Sequence, residues 1–229
     1  MVDPQHGLPK WRRVLAVVAH PDDESFGLGA LLDRFVAAGA QVRVLCLTRG
    51  EASTLGDIDG DLAEVRGAEL RSAAAALGVG EATMCAHPDG GLSAVPPERL
   101  EADVIEQAHR VEPDGLLVFD PVAGVTGHED HETASRAAIA AGERLGLPVL
   151  GWALPEDVGA ILRAETGGGF AGHPRELLVE VPVDRSRQLE AVRCHATQAV
   201  PGSVLWRRLE LLGDVEYVRL LVPGSVPSA

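Results

Sequence analysis

Five consecutive residues, His20-Pro21-Asp22-Asp23-Glu24, put one imidazole and three carboxyl groups into a single short stretch. These are nitrogen and oxygen donors of the kind Zn²⁺ takes at about 2.0–2.2 Å. Pro21 restricts His20 to an extended conformation and starts a turn, which can point His20 and Asp23 inward together. A plainer reading is a solvated acidic turn in which Asp22 or Asp23 caps the next helix. A second cluster reads Gly127-His128-Glu129-Asp130-His131. Glu129 or Asp130 can open a helix there, and His128 and His131, three apart, share a face of its first turn. The positive end of that helix would lie near any developing oxyanion.

Neither cluster is decisive alone. Combined, they offer His, Asp and His with a coordination position left open, the ligand count of a catalytic rather than a structural zinc. Asp22 is then left as a general base, and His128 for the oxyanion or the leaving group. This works only if both clusters project from one edge of one sheet.

The chain supplies such a sheet. Short apolar runs at 14–19 (VLAVVA), 42–48 (VRVLCLT), 82–86 (ATMCA), 116–120 (LLVFD) and 149–153 (VLGWA) read as buried parallel strands. Helical patterns lie between them at 29–38, 62–77, 98–111 and 131–145, the second and fourth stopped by Gly78 and Gly146. The alternation implies an α/β, Rossmann-like, mostly parallel sheet flanked by helices on both faces. The two clusters follow the first and fourth strands, at the carboxyl edge where open α/β sheets bind ligands. The last third is less regular. A strand-like run spans 177–183, helical patterns 185–198 and 204–212, and a final strand 217–222. The stretches 50–61 and 165–174 read as surface loops.

The 229 residues fit a single domain, 1–229, with a core over 13–154 and a less regular part over 155–229. A net charge of −14 and 3% aromatics disfavour nucleic acid and anionic membrane surfaces as partners. No run approaches the ~18 apolar residues of a membrane span, and the amino terminus lacks the apolar core of a signal peptide. The expectation is a cytoplasmic protein of open oligomeric state. Cys46, Cys85 and Cys194 are far apart and read as free thiols, not as a metal site.

The stretch 17–29, centred on Ala19-His20-Pro21-Asp22-Asp23-Glu24, resembles the PIG-L/LmbE family of zinc-dependent N-deacetylases. The His128/His131 pair fits the family's second motif. Further marks are TRGE at 48–51, the helix 64–78 with Arg66 and Glu69, the segment Pro88-Asp89-Gly90-Gly91-Leu92, and His195-Ala196-Thr197-Gln198. The resemblance implies that His20, Asp23 and His131 bind zinc, with Fe²⁺ as the other candidate metal. It implies that Asp22 is the general base on the activated water, and that a protonated His128 stabilises the oxyanion or assists amine departure. Arg66 and Asp89 match positions that face sugar hydroxyls in relatives, and His195 one near the pocket. The implied substrate is an N-acylated amino sugar of the N-acetylglucosaminyl type.

One departure stands out. Members acting on the mycothiol precursor carry a tyrosine shortly before the second motif, where this chain has Val125-Thr126-Gly127; its single tyrosine is Tyr217. A different or bulkier acyl group is an alternative, as is an amidase for a thiol conjugate or a glycopeptide-like amide. A metal-binding regulatory module without turnover would need neither Asp22 nor His128. The remaining features are weaker. Gly27-Leu28-Gly29 lacks the third glycine of a dinucleotide loop. His87, His109 and His173 read as solvated, and Ser25 as a helix-start residue without a nucleophile elbow.

Overall fold

The computed structural model describes residues 7–55 and 60–225. The first six residues, the last four, and 56–59 of the expected 50–61 loop lie outside the described residues. The sequence places an apolar residue at nearly every position of β1 (Arg13–Val18), and the fold buries both of its faces. Val14, Ala16 and Val18 enter one core, and Leu15, Val17 and Ala19 the other. This is the two-residue period of a strand covered on both sides.

After β1 come the single turn α1 (Asp23–Phe26), α2 (Gly29–Ala37), β2 (Gln41–Thr48), α3 (Leu62–Leu77) and β3 (Glu81–His87). Then follow α4 (Pro97–Val111), β4 (Gly115–Phe119), α5 (Glu129–Leu145), β5 (Val149–Ala153) and α6 (Glu156–Thr166). The chain ends with β6 (Val179–Pro182), α7 (Ser186–Cys194), α8 (Val204–Leu212) and β7 (Val215–Val222). One seven-stranded sheet runs β3-β2-β1-β4-β5-β7-β6. The first five strands in that row are parallel, and β7 is antiparallel to both β5 and β6. Residues of α2, α3, α6, α7 and α8 pack into one core, and those of α4 and α5 into the other.

The strand order positions the site. From β1 the chain moves to β2 on one side, and the sheet continues through β4 and β5 on the other. The loops after β1 and β4 therefore diverge, leaving a crevice at the switch point.

Local chemistry sets the helix ends. Asp61 accepts from Ala63 N at the start of α3, and Gly78 ends it in the left-handed region. α5 starts at Glu129, two residues before the expected His131, because the His128 side chain itself caps it through Asp130 N. α6 was not expected. Its signals were Glu156 and Asp157 in the first turn, buried Val158 and Leu162 four apart, and Gly167 at its end. The helix expected over 185–198 stops at Cys194, where His195 and Thr197 turn inward to Glu24 and Glu69. Among the described residues, no helix is long and apolar enough to cross a membrane.

Candidate active site

The turn after β1 folds onto itself. Asp22 N and Asp23 N both donate to His20 O, and His20 N donates to Asp23 Oδ2 at 2.8 Å. Asp22 occupies the position before α1 but makes no side-chain capping bond. The capping reading of these aspartates therefore fails. Both carboxylates are committed elsewhere, Asp23 towards the histidines and Asp22 towards Arg66 at 3.0 Å.

The start of α5 brings the second group. His131 Nε2 lies 3.1 Å from His20 Nδ1 and 3.1 Å from Asp23 Oδ1, and His20 Nδ1 lies 3.5 Å from Asp23 Oδ2. Donors held at about 2.1 Å from one tetrahedral centre lie about 3.4 Å apart. The three side chains thus already stand at the spacing one cation requires. His128 stacks on His131 at 5.0 Å between ring centroids and also offers a nitrogen near those of His20 and His131.

Each ring is held from behind. His20 Nε2 faces Asp130 Oδ2 at 3.3 Å and Asp89 Oδ1 at 3.1 Å, leaving Nδ1 for the centre. Asp130 is itself fixed by Gly90 N at 2.8 Å and Leu92 N at 3.0 Å. Thr126 Oγ1 lies 2.8 Å from His131 Nδ1, which leaves Nε2 for the centre. Oriented imidazoles of this kind are the usual support of a metal ligand.

The electrostatics favour a cation. Burial pulls His20 down, but Asp130, Asp23 and Asp89 more than offset it and hold it well above the usual imidazole value. Burial pushes Asp23 up, yet the His131 and His20 rings hold it well below the usual carboxylate range. Carboxylates that keep a proton on His20 would equally hold a divalent ion. Asp22 behaves differently: burial lifts it to about 6 although Arg66 resists.

The cluster forms one wall of a cavity of about 720 Å³. Its lining includes the polar side chains of Asp22, Arg66, Asp89 and Gln198 and the apolar ones of Phe26, Phe119, Phe170 and Leu205. Two glycines permit the close approaches. A Cβ on Gly27 would lie 2.3 Å from the Phe119 ring, so the turn after β1 can rest on the end of β4. Gly127, at a φ of +84°, lies against the backbone of Gly169.

Several expectations change. Arg66 lines the cavity with Nη1 on Gly50 O and Nη2 on Pro21 O and Asp22, while its Nε is buried without a partner. Asp89 lines the cavity, but it is held by Ala52 N and His20. His195 does not line the cavity; it is fully buried and bonded to Glu24 at 2.7 Å. A protonated His128 is disfavoured. Burial, His20 and His131 all lower its pKa, and its Nδ1 already accepts from Asp130 N, so the neutral ring presents Nε2–H. His87 and His173 are not simply solvated: they are half-buried against Asp103 at 2.7 Å and Asp120 at 3.0 Å. Asp130 and Thr126 were missed, although both stand inside or beside the second motif. Tyr217 lies in β7 away from the cavity, paired with Arg175.

The family described as PIG-L, GlcNAc-PI de-N-acetylase, matches residues 15–142. A protein of Kineococcus radiotolerans named 1D-myo-inositol 2-acetamido-2-deoxy-alpha-D-glucopyranoside deacetylase is 34% identical, covering 82% of this chain and 69% of its own. A protein of the same name from Nakamurella multipartita is 30% identical, covering 94% and 91%. A teicoplanin deacetylase solved in a zinc-inhibited form has a TM-score of 0.69 over 94% of this chain and 100% of its own; at 21% identity that likeness carries the fold alone. A family match across more than half of the chain, joined to relatives about a third identical over most of its length, settles the kinship: this protein belongs to the PIG-L family of de-N-acetylases.

Proposed function

We propose that the protein is a zinc-dependent hydrolase that removes an acetyl or other acyl group from the amide nitrogen of an N-acetylglucosaminyl small molecule. The observation that carries this reading is Asp22, a buried carboxyl lifted to about 6, beside three donors at cation spacing in one cavity. His20 Nδ1, Asp23 and His131 Nε2 would hold the ion. When bound there, it supplies Lewis acidity towards the amide carbonyl and acidifies water. Zinc suits two imidazoles and a carboxylate with an open position; ferrous iron suits the same set.

The chain's own residues do the rest. Asp22 takes a proton from the attacking water, with Arg66 fixing its carboxylate. His128, held by the start of α5, presents Nε2–H to the developing oxyanion, as a neutral imidazole can. The proton on Asp22 is then available to the departing amine. Phe26, Phe119, Phe170 and Leu205 offer apolar contact, and the cavity volume leaves room for more than a methyl group. That room favours, as a second reading, a bulkier amide such as a thiol conjugate or a glycopeptide-like acyl group. One sheet running through residues 13–222 supports treating the whole as a single domain.

The test is amine release from a panel of N-acetylglucosaminyl conjugates by zinc-loaded protein, with Asp22→Asn as the blank. Amine from a panel member, absent in the blank, supports the reading. No release across the panel from metal-replete protein would sink it for this substrate class.

A further inference from the structure

Arg208 is a buried cation without a counter-ion. It is 5% exposed and lines the cavity from the second turn of α8. Among the described residues no carboxylate lies within ion-pair distance of it. The nearby buried carboxylate, Glu216, is already bound by Arg185 Nη1 at 2.5 Å and by Trp152 Nε1 at 2.7 Å. One guanidinium nitrogen of Arg208 donates to Phe26 O, and its Nε is buried with no partner. Its carbon sits 4.8 Å from the Trp152 ring. Ser203, at the start of α8, lines the same wall, and its Oγ is also buried with no partner. Two buried cations therefore share one carboxylate, and the one facing the cavity is left over.

Keeping an unpaired guanidinium out of water costs several kcal/mol in general, so a protein that only needed packing would carry an apolar residue there. Burial draws this group down to about 10, with Glu216 opposing, Arg185 adding to the drop and the Asp23 charge opposing it more weakly, so it stays charged at neutral pH. Two aromatic rings also link it to the candidate centre by contact. Trp152 packs on Phe119 at 4.7 Å, and Phe119 on His131 at 4.9 Å. Phe26, Phe119 and Leu205 give the same cavity an apolar wall, with the Phe26 carbonyl bonded to Arg208 and the Phe119 ring on His131.

We propose that Arg208 receives a carboxylate carried by the substrate itself, on an apolar arm that lies along this wall while the amide sits at the histidine cluster. A guanidinium with open donors is suited to a carboxylate. The arm is either the acyl chain, ending in a second carboxyl group, or a carboxyl-bearing aglycone. The inference rests on the deacylase reading of the cavity, so its test has one arm that does not need turnover.

In that arm, pentanoate and its neutral twin pentanamide are titrated calorimetrically into metal-free wild type and metal-free Arg208→Met, so that no ion competes for the carboxylate. Pentanoate should bind about tenfold to a hundredfold more weakly to the variant, while pentanamide is unaffected. Equal pentanoate binding by the two proteins overturns the proposal whether or not any amide is cleaved. The variant should also keep or raise Tm, since it loses an uncompensated cation; a lower Tm with unchanged pentanoate binding would mark Arg208 as merely structural. The second arm uses wild type alone and so survives a variant that fails to fold. It compares kcat/KM for paired glucosaminides, N-glutaryl against N-pentanoyl, and carboxyalkyl against carbamoylalkyl aglycone. A preference of about tenfold or more for the acid in one pair names the arm that carries it. No preference in either pair, in protein that cleaves the neutral members, contradicts the proposal.

Discussion

His195 Nε2 lies 2.7 Å from Glu24 Oε1, and both side chains are wholly excluded from solvent. The pair ties the loop after α7 to the residue next to Asp23, so the carboxy-terminal third braces the turn that carries the candidate ligands. Ser25 Oγ donates to the same carboxylate oxygen at 2.5 Å. Removing only the imidazole leaves that carboxylate buried with the Ser25 hydroxyl but without a counter-ion. His195→Ala should therefore lose about 3–5 kcal/mol of stability in urea titrations. Glu24→Leu combined with His195→Leu should recover most of it.

That pair also predicts a pH dependence. Burial lowers the His195 pKa, but the Glu24 charge and hydrogen bond outweigh it, and the group ends above its usual value. A histidine whose folded pKa exceeds its unfolded value of about 6.5 contributes stability that is fully present below 6.5. That contribution is lost as pH rises through the folded pKa. The stability difference between wild type and the double leucine variant should shrink accordingly between mildly acidic and alkaline pH. A difference constant with pH would contradict the ion pair.

Thr126 should matter to metal affinity without touching the metal. Its hydroxyl sits 2.8 Å from His131 Nδ1 and fixes which nitrogen faces the centre. Thr126→Val should weaken zinc binding about tenfold to a hundredfold in competition with a chromogenic chelator. His131→Ala should cost far more. Unchanged zinc content in His131→Ala would remove it from the ligand set.

Activity should fall as pH drops, because the base must be ionised. Without a metal, Asp22 lies at about 6, and a neighbouring cation lowers it further, so the acidic limb belongs at or below about 6. Arg66 is the main charge opposing burial of Asp22. Arg66→Met should therefore shift the limb of kcat/KM to higher pH. A limb that stays in place would show that Arg66 does not act through Asp22.

Gly27→Ala places a methyl 2.3 Å from the Phe119 ring, which packs on His131. Overpacking of this kind costs about 1–3 kcal/mol. It should also lower metal affinity, because Phe119 must move against a ligand. A variant with wild-type Tm and zinc affinity would show that the contact gives way freely.

Much of this was legible in the sequence, for reasons visible in particular residues. The runs at 14–19 and 116–119 are continuously apolar because both faces of β1 and β4 are covered, and that marked the carboxyl edge from which His20 and His131 project. The roles of Arg66 and His195 were not legible, because spacing says nothing about which acceptors a long side chain will meet. Gly50 O lies in the loop after β2, and Pro21 O and Glu24 in the turn after β1, each 16 or more residues from the side chain that reaches it. Reversal of β7 was equally hidden, since an apolar strand pattern does not record the direction of the neighbouring strand. Arg208 sits in an ordinary amphipathic pattern, and only the assembled pocket shows that it lacks a counter-ion.

The most direct test of the account is a titration of metal-free protein with zinc, following both binding and amine release on an N-acetylglucosaminyl conjugate. Activity should rise linearly and saturate at one equivalent, and Asp22→Asn should bind that equivalent with little turnover. Turnover that is independent of zinc, or an Asp22→Asn variant as active as wild type, would contradict a metal centre at His20, Asp23 and His131 served by Asp22.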